Sequence, residues 1–258
     1  MWKVDLNCDM GEAFGVYTIA PDADIMPLIS SANIACGWHA GDPHVMRRSV
    51  ELALEHDVAI GAHPGYPDLL GFGRRNLSLT PAELKDYVTY QVGALAAFVK
   101  AAGGRLHHVK AHGAMYNQAA ADPNLARAFA EAIAACDEDL IVVGLANSHL
   151  LSEAKKLGLS VASEVFADRG YLPNGALMPR HLPGAVLHDP DLVVSRVLTM
   201  VKEGTVQAND GSIIQLRADT ICVHGDTPEA LAHLKALRQA LAAAQIKITR
   251  VSGGDSRV

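Results

Sequence analysis

Seven short apolar runs of β type punctuate the chain, at Val4 to Cys8, Ala32 to Ala35, Val58 to Ala62, Leu106 to Lys110, Leu140 to Val143, Ser160 to Phe166 and Thr220 to Val223. Stretches of helical character fall between them, at Pro43 to His56, Thr80 to Ala102, Pro123 to Ala135, Ser148 to Lys156, Asp189 to Glu203 and Thr227 to Ala243. The helix starts carry their own signals. Thr80-Pro81-Ala82-Glu83 combines an N-cap hydroxyl, a proline at the first helical position and an acid at the third. A repeated strand-helix-strand pattern requires parallel strands with right-handed crossovers, either curled into a barrel or spread as an open sheet.

The placement of polar residues decides between the two. Asp9, His39, His63, His112, Arg169 and His224 each lie just beyond the C-terminal end of a different predicted strand. Barrels gather such residues on one face, whereas an open doubly wound sheet uses fewer strand ends at its crevice. We therefore predict an α/β fold, a parallel seven-stranded (β/α) barrel, as a single domain over residues 1–251. The small polar tail, residues 252–258, is predicted to be disordered.

Composition narrows the function. The chain is half hydrophobic and 19% charged, ordinary for a globular protein. Its net charge of -6 offers no basic surface for nucleic acid. No stretch reaches membrane-spanning length and the N-terminus lacks a basic start followed by an apolar core, so we expect a cytoplasmic protein. Cys8, Cys36, Cys136 and Cys222 are far apart with no CxxC pair, and are expected to be free thiols that pack as small hydrophobes.

Several segments carry chemistry. Asp5-Leu6-Asn7-Cys8-Asp9-Met10-Gly11-Glu12 places three carboxylates and an amide at the first strand end, with Gly11 allowing a sharp turn. Asn33 sits inside an apolar run and needs a partner once buried; His39 and Asp42 follow on a glycine-rich turn. Gly61-Ala62-His63-Pro64-Gly65 ends the third strand, and Gly71-Phe72-Gly73-Arg74-Arg75 belongs to a long loop where a guanidinium could hold a carboxylate. Lys110-Ala111-His112-Gly113-Ala114-Met115-Tyr116-Asn117 supplies an ammonium, an imidazole, a phenol and an amide. A lysine ending a buried strand is expected to face Asp or Glu, because an isolated buried charge is costly. Glu164, Phe166 and Asp168 share one strand face by period two, followed by Arg169 and Tyr171. His224 closes the set, while Asp226 or Thr227 is expected to cap the last helix. The other histidines, among them His107, His108, His149 and His181, read as structural or exposed.

Taken together, DLNCDMGE, SANIACGWHAGDP, GAHPGYPD, GFGRR, VKAHGAMYN, EVFADRGYLPNG, LMPR and ICVHGDTP resemble the family of 5-oxoprolinase A subunits, also described as lactam-utilisation proteins, from Asp5 to roughly Val251. The resemblance implies a barrel related to the glycoside hydrolase and deacetylase group. It also implies a role in converting 5-oxo-L-proline to L-glutamate with hydrolysis of ATP, alongside B and C partner subunits. The chain has no GxxxxGK[ST] phosphate loop, in keeping with reliance on partners for the nucleotide.

On this expectation Asp9 or His39 is the base on water, His112 or Lys110 supplies charge or a proton to the tetrahedral centre, and Arg74 or Arg169 grips the substrate carboxylate. His224 joins the catalytic candidates; Asn7, Asn33, His63, Asn117 and Glu164 join Arg74 and Arg169 as substrate-binding candidates. Two other readings remain at this point. Related barrels bind a divalent ion through one aspartate and two histidines, and Asp9, His39 and His63 imitate that set, as in a metal-dependent deacetylase. The chain could instead be a non-catalytic component that binds the lactam and presents it to its partners.

Overall fold

The computed structural model describes residues 2–223 and 230–252. Six strands run parallel in chain order: β1 (Lys3–Met10), β2 (Ser31–Ala35), β3 (Ala59–His63), β4 (Leu106–Lys110), β5 (Ile141–Leu145) and β6 (Val161–Phe166). A small antiparallel hairpin, β7 (Thr205–Gln207) and β8 (Ile213–Gln215), precedes β9 (Thr220–Cys222). β9 pairs in parallel with both β6 and β1, so the seven strands close into the predicted barrel. β10 (Lys247–Ile248) adds to the start of β1.

Helices follow the strands: α1 (Asp22–Ile25), α2 (Pro43–Glu55), α3 (Pro81–Ala101), α4 (Gly113–Ala121), α5 (Pro123–Cys136), α6 (His149–Lys156), α7 (Pro190–Glu203) and α8 (Ala230–Ala243). Their boundaries follow from local chemistry. Pro43, Pro81, Pro123 and Pro190 take the first helical position, where the missing N–H costs nothing, and Asp42, Thr80, Asp122 and Asp189 cap the freed amides. The predicted capping box forms in full: the Glu83 amide donates to Thr80 Oγ1 at 3.3 Å, and the Thr80 amide donates to Glu83 Oε2 at 2.8 Å.

Alternation along β1 separates two environments. Val4, Leu6, Cys8 and Met10 are buried with the apolar faces of the helices, including Val92 and Leu95 of α3 and Phe129 and Ile133 of α5. Each such side chain stabilises the fold by roughly 1.5–3 kcal/mol. Asp5 and Asn7 are equally buried but polar, and together with Asn33, His108, Lys110, Glu164 and Thr220 they fill the barrel with a hydrogen-bonded network. Among the described residues no helix is long and apolar enough to cross a membrane.

All seven predicted strands are present, within two residues at each end. The helices α1 and α4, the hairpin and β10 have no counterpart among the sequence expectations. α4 opens on Gly113 with no side-chain cap from His112 and runs through alanines that give no apolar period; β7, β8 and β10 span only two or three residues each, too short for a period to show. The predicted start of the last helix at Thr227, its cap at Asp226 or Thr227, and residues 253–258 of the tail lie outside the described residues.

Candidate active site at the carboxyl ends of the strands

At the carboxyl ends of β1, β3, β4 and β6 the barrel opens into a cavity of ≈ 850 Å³ whose floor includes Asp9, His63, Lys110 and His112. Lys110 ends β4 and is 2% exposed. Its ammonium lies 3.0 Å from Asp9 Oδ1 and 2.8 Å from Glu164 Oε1, and donates to Asn7 Oδ1 at 3.3 Å. Burial works to lower the Lys110 pKa, but Asp9, Cys222 and Glu164 outweigh it and hold it well above the ordinary lysine value. Burial keeps the Cys222 thiol itself protonated, so the two carboxylates supply the charge that balances the ammonium.

Both carboxylates are held from several sides. Glu164 Oε1 accepts from Asn7 Nδ2 at 3.0 Å, and Glu164 Oε2 from the Tyr116 hydroxyl at 2.7 Å. Asp9 Oδ1 accepts from Asn33 Nδ2 at 2.9 Å, and Asp9 Oδ2 lies 3.2 Å from His63 Nε2. Asn33 also donates to Asn7 Oδ1 at 2.8 Å and accepts from His108 Nε2 at 2.8 Å, so the amide buried in an apolar run is fully partnered.

Three imidazoles and Glu12 form the adjoining wall. His112 and His39 stack with ring centroids 3.7 Å apart and planes 4° from parallel, while His63 stands edge-on to both. Gly11, at φ +67°, turns the chain so that Glu12 Oε1 reaches His39 Nε2 at 3.2 Å and His112 Nδ1 at 3.4 Å. Burial first, then the neighbouring imidazoles, push the pKa values of His39 and His112 well below the usual histidine range. Gly73 makes this packing possible: a Cβ there would lie 2.7 Å from His39 Cβ and 2.9 Å from His112 Cδ2. Glu12, His39, His63 and His112 offer ligand atoms within 4.8 Å of one another, the donor group that could hold a metal among the described residues.

A family model, the LamB/YcsF family, matches residues 4–255. The chain belongs to the LamB/YcsF family. It is 55% identical over 246 residues to a protein of Syntrophobacter fumaroxidans named as the A subunit of 5-oxoprolinase, covering 95% of this chain and 97% of that one. The solved structure of a lactam utilization protein from Thermus thermophilus superposes with a TM-score of 0.91 at 48% identity, covering 97% of this chain and 100% of that one. The catalytic domain of a peptidoglycan N-acetylglucosamine deacetylase from Eubacterium rectale, at 10% identity and a TM-score of 0.51, covering 96% of this chain and 88% of that one, shares the fold alone.

In this LamB/YcsF chain, Asp9, His63, Lys110 and His112 meet on the cavity floor, with Asn7, Asn33 and Glu164 hydrogen-bonded to them or to one another. Arg74 and Asn117 line the cavity wall. Arg169 also reaches the wall, but its guanidinium donates to the carbonyls of Ala185 at 3.0 Å and Met178 at 2.5 Å, tying down the loop between them; burial lowers its pKa to about 10. His39 lies behind the floor, fully buried. Arg75 pairs with Asp68. His224 lies outside the described residues.

Some residues of the site escape a reading of the sequence. Glu12 stands there only as part of an acidic turn, and Tyr116 only as part of its motif. His108, expected to be structural or exposed, is fully buried inside the barrel; its spacing of two from Lys110 is the available signal. His149 and His181, given the same expectation, stand on the cavity wall.

Proposed function

We propose that this chain is the A component of a 5-oxoprolinase, taking part in the opening of 5-oxo-L-proline to L-glutamate within an assembly whose B and C subunits couple the step to ATP hydrolysis. Near full-length identity to a relative bearing that name supports the reading. The geometric support is one observation: the buried Lys110 ammonium and the Asp9–His63 pair share the floor of an open cavity, joined through Asp9.

That combination suits the reaction. An unstrained five-membered lactam is a poor electrophile and its nitrogen leaves badly, so phosphorylation of the carbonyl oxygen at ATP's expense would activate it. Water then adds to the carbonyl carbon and gives up a proton, and the carbon–nitrogen bond breaks as the nitrogen takes up a proton; the carboxyl is left as its mixed anhydride with phosphate, which a second water hydrolyses to glutamate and inorganic phosphate. Asp9, with His63 against its second oxygen, serves as the base that takes the water proton. Lys110 lies within reach of the negative charge that develops on the tetrahedral centre, and His112 is the second candidate for that role and for proton delivery. Arg74, on the loop above, suits the substrate carboxylate by paired hydrogen bonds. Asn117 completes that wall.

The test is glutamate production from 5-oxoproline and ATP by this chain alone, by the B and C subunits alone, and by the reconstituted mixture. Turnover only in the mixture supports the assignment; none in any combination overturns it. Within the mixture Asp9→Asn should abolish turnover while leaving the melting temperature nearly unchanged, and collapse of the fold would instead make Asp9 structural.

A further inference from the structure

We propose that Gln91 on α3 is a positioning residue for the imidazole wall: acting through the backbone of Gly65, it sets where His39 and His112 stand. The helix buries one stripe along its length, Leu84, Val88, Val92, Leu95 and Val99, and Gln91 falls within that stripe at 0% exposure. A leucine there would continue the apolar face, whereas a buried amide costs stability unless its polar atoms are paired. The bonds Gln91 makes all go to backbone. Its Oε1 accepts from the Gly65 amide at 2.9 Å, and its Nε2 donates to the Gly65 carbonyl at 2.9 Å and to the Tyr87 carbonyl at 3.0 Å. Two bonds to one residue, on both sides of its Cα, are what a neighbouring strand supplies, so the chain leaving β3 is held as if the sheet continued.

That clamp holds the backing of the wall. The Pro64 carbonyl, next in the chain to Gly65, accepts from the His112 amide at 2.8 Å. Gly65 itself lies against the edge of His39: a Cβ built there would be 2.6 Å from His39 Nδ1 and 3.1 Å from His39 Cβ. His39 in turn stacks on His112, with ring centroids 3.7 Å apart. Pro64 and Gly65 thus touch both members of the stack, one through a backbone hydrogen bond and the other by direct packing.

His39 depends on this backing because little else fixes it. Its Nε2 lies 3.2 Å from Glu12 Oε1, but its Nδ1 has no hydrogen-bond partner among the described residues. A ring bonded at one nitrogen pivots about that contact unless packing stops it, and Gly65 is the packing on its Nδ1 edge. If the loop drifts, His39 follows, and His112 loses the ring it stacks on. Misplacing a reacting group by about 1 Å costs roughly 100-fold in rate.

The kinetic consequence rests on the ring-opening reading, in which His112 serves the tetrahedral centre; the placement of the rings does not. Arg74, assigned there to the substrate carboxylate, sits in a turn closed by its own amide on the Gly71 carbonyl at 2.9 Å. Loss of the clamp should therefore lower kcat and leave KM little changed, the mark of an interaction realised in the transition state.

The test compares Gln91→Met, which keeps the length of the side chain and removes its bonds, with Val99→Ala, a core truncation beside Gly104 at the far end of the same helix. In the reconstituted mixture Gln91→Met should lower kcat roughly ten- to a hundredfold. In nitrogen–proton correlation spectra of the chain alone it should shift the imidazole signals of His39 and His112. Val99→Ala should lower the melting temperature and move neither kcat nor those signals. Gly65→Ala leaves the clamp in place and presses on His39 directly; it should reproduce both effects, and it is the deciding variant where Gln91→Met does not fold. Unchanged imidazole signals in the deciding variant, or an equal loss of kcat in Val99→Ala, would make Gln91 a purely structural residue and overturn the role. No turnover in the parent mixture sinks the ring-opening reading instead, and the spectra of the chain alone still decide the positioning.

Discussion

The imidazole of His108 on β4 occupies the space that a side chain at position 61 on β3 would need: a Cβ built on Gly61 would fall inside the contact surface of His108 Nε2. The vacancy lets the ring cross to Asn33, whose amide is thereby oriented with its nitrogen toward Asn7 and Asp9. Gly61→Ala should therefore cost roughly 1–3 kcal/mol through overpacking. Much of that loss should vanish in a His108→Ala background, giving a coupling of roughly 0.5–3 kcal/mol in a double-mutant cycle read by urea unfolding. Additive losses would mean that Gly61 matters for some reason other than the ring.

Lys110 lies between Asp9 and Glu164 with 2% of its surface exposed. Lys110→Met leaves two buried carboxylates without their cation and should destabilise the chain by roughly 3–5 kcal/mol. Adding Glu164→Gln removes one stranded charge and should recover part of that loss. Thermal melts of the two variants check the order, and an unchanged melting temperature in the single variant would contradict the charge balance drawn here.

Burial pushes the Asp5 carboxyl up to about 6, partly offset by the hydroxyls of Thr220, Ser31 and Ser30, with Glu164 adding to the rise. The folded-state value exceeds the unfolded value near 3.8, so between those pH values Asp5 keeps its proton in the folded chain and loses it in the unfolded one. The contribution of Asp5 to stability therefore falls as pH rises from about 4 to about 6 and levels off above, by about 1.4 kcal/mol for each unit of difference. Urea unfolding across that window should show Asp5→Asn gaining on the parent chain as pH rises and running parallel above about pH 6.5. A constant difference across the window would place the Asp5 pKa near its ordinary value.

Thr80 and Glu83 cap α3 far from the cavity floor. Thr80→Ala should cost about 1 kcal/mol of stability and leave turnover by the reconstituted mixture unchanged. Loss of turnover without loss of stability would mean that the capped end of α3 communicates with the site.

Much of the site was legible in the sequence because each strand carries its own polar residue at its carboxyl end. Asp9, His63, Lys110 and His112 stand out individually, and the expectation that Lys110 faces a carboxylate follows from the cost of burying a bare charge. Less legible was who faces whom. Arg169 reads as a substrate ligand, yet its guanidinium holds the carbonyls of Met178 and Ala185. Glu12 reads as one acid in a turn, yet Gly11 swings it under two imidazoles.

By itself the sequence determined the order of strands and helices, the parallel arrangement and the polar rim, since period, caps and turn residues act within a few residues of one another. Only the tertiary structure decided the contacts that make chemistry: the hydroxyl of Thr220 on the carboxylate of Asp5, and the imidazoles of His63 and His112 brought nitrogen to nitrogen at 3.0 Å. The physical reason is closure. β9 must return to β1 across 215 residues before opposite strand ends come within hydrogen-bonding distance, and the backbone carbonyls that orient each ring exist as partners only once that packing is complete.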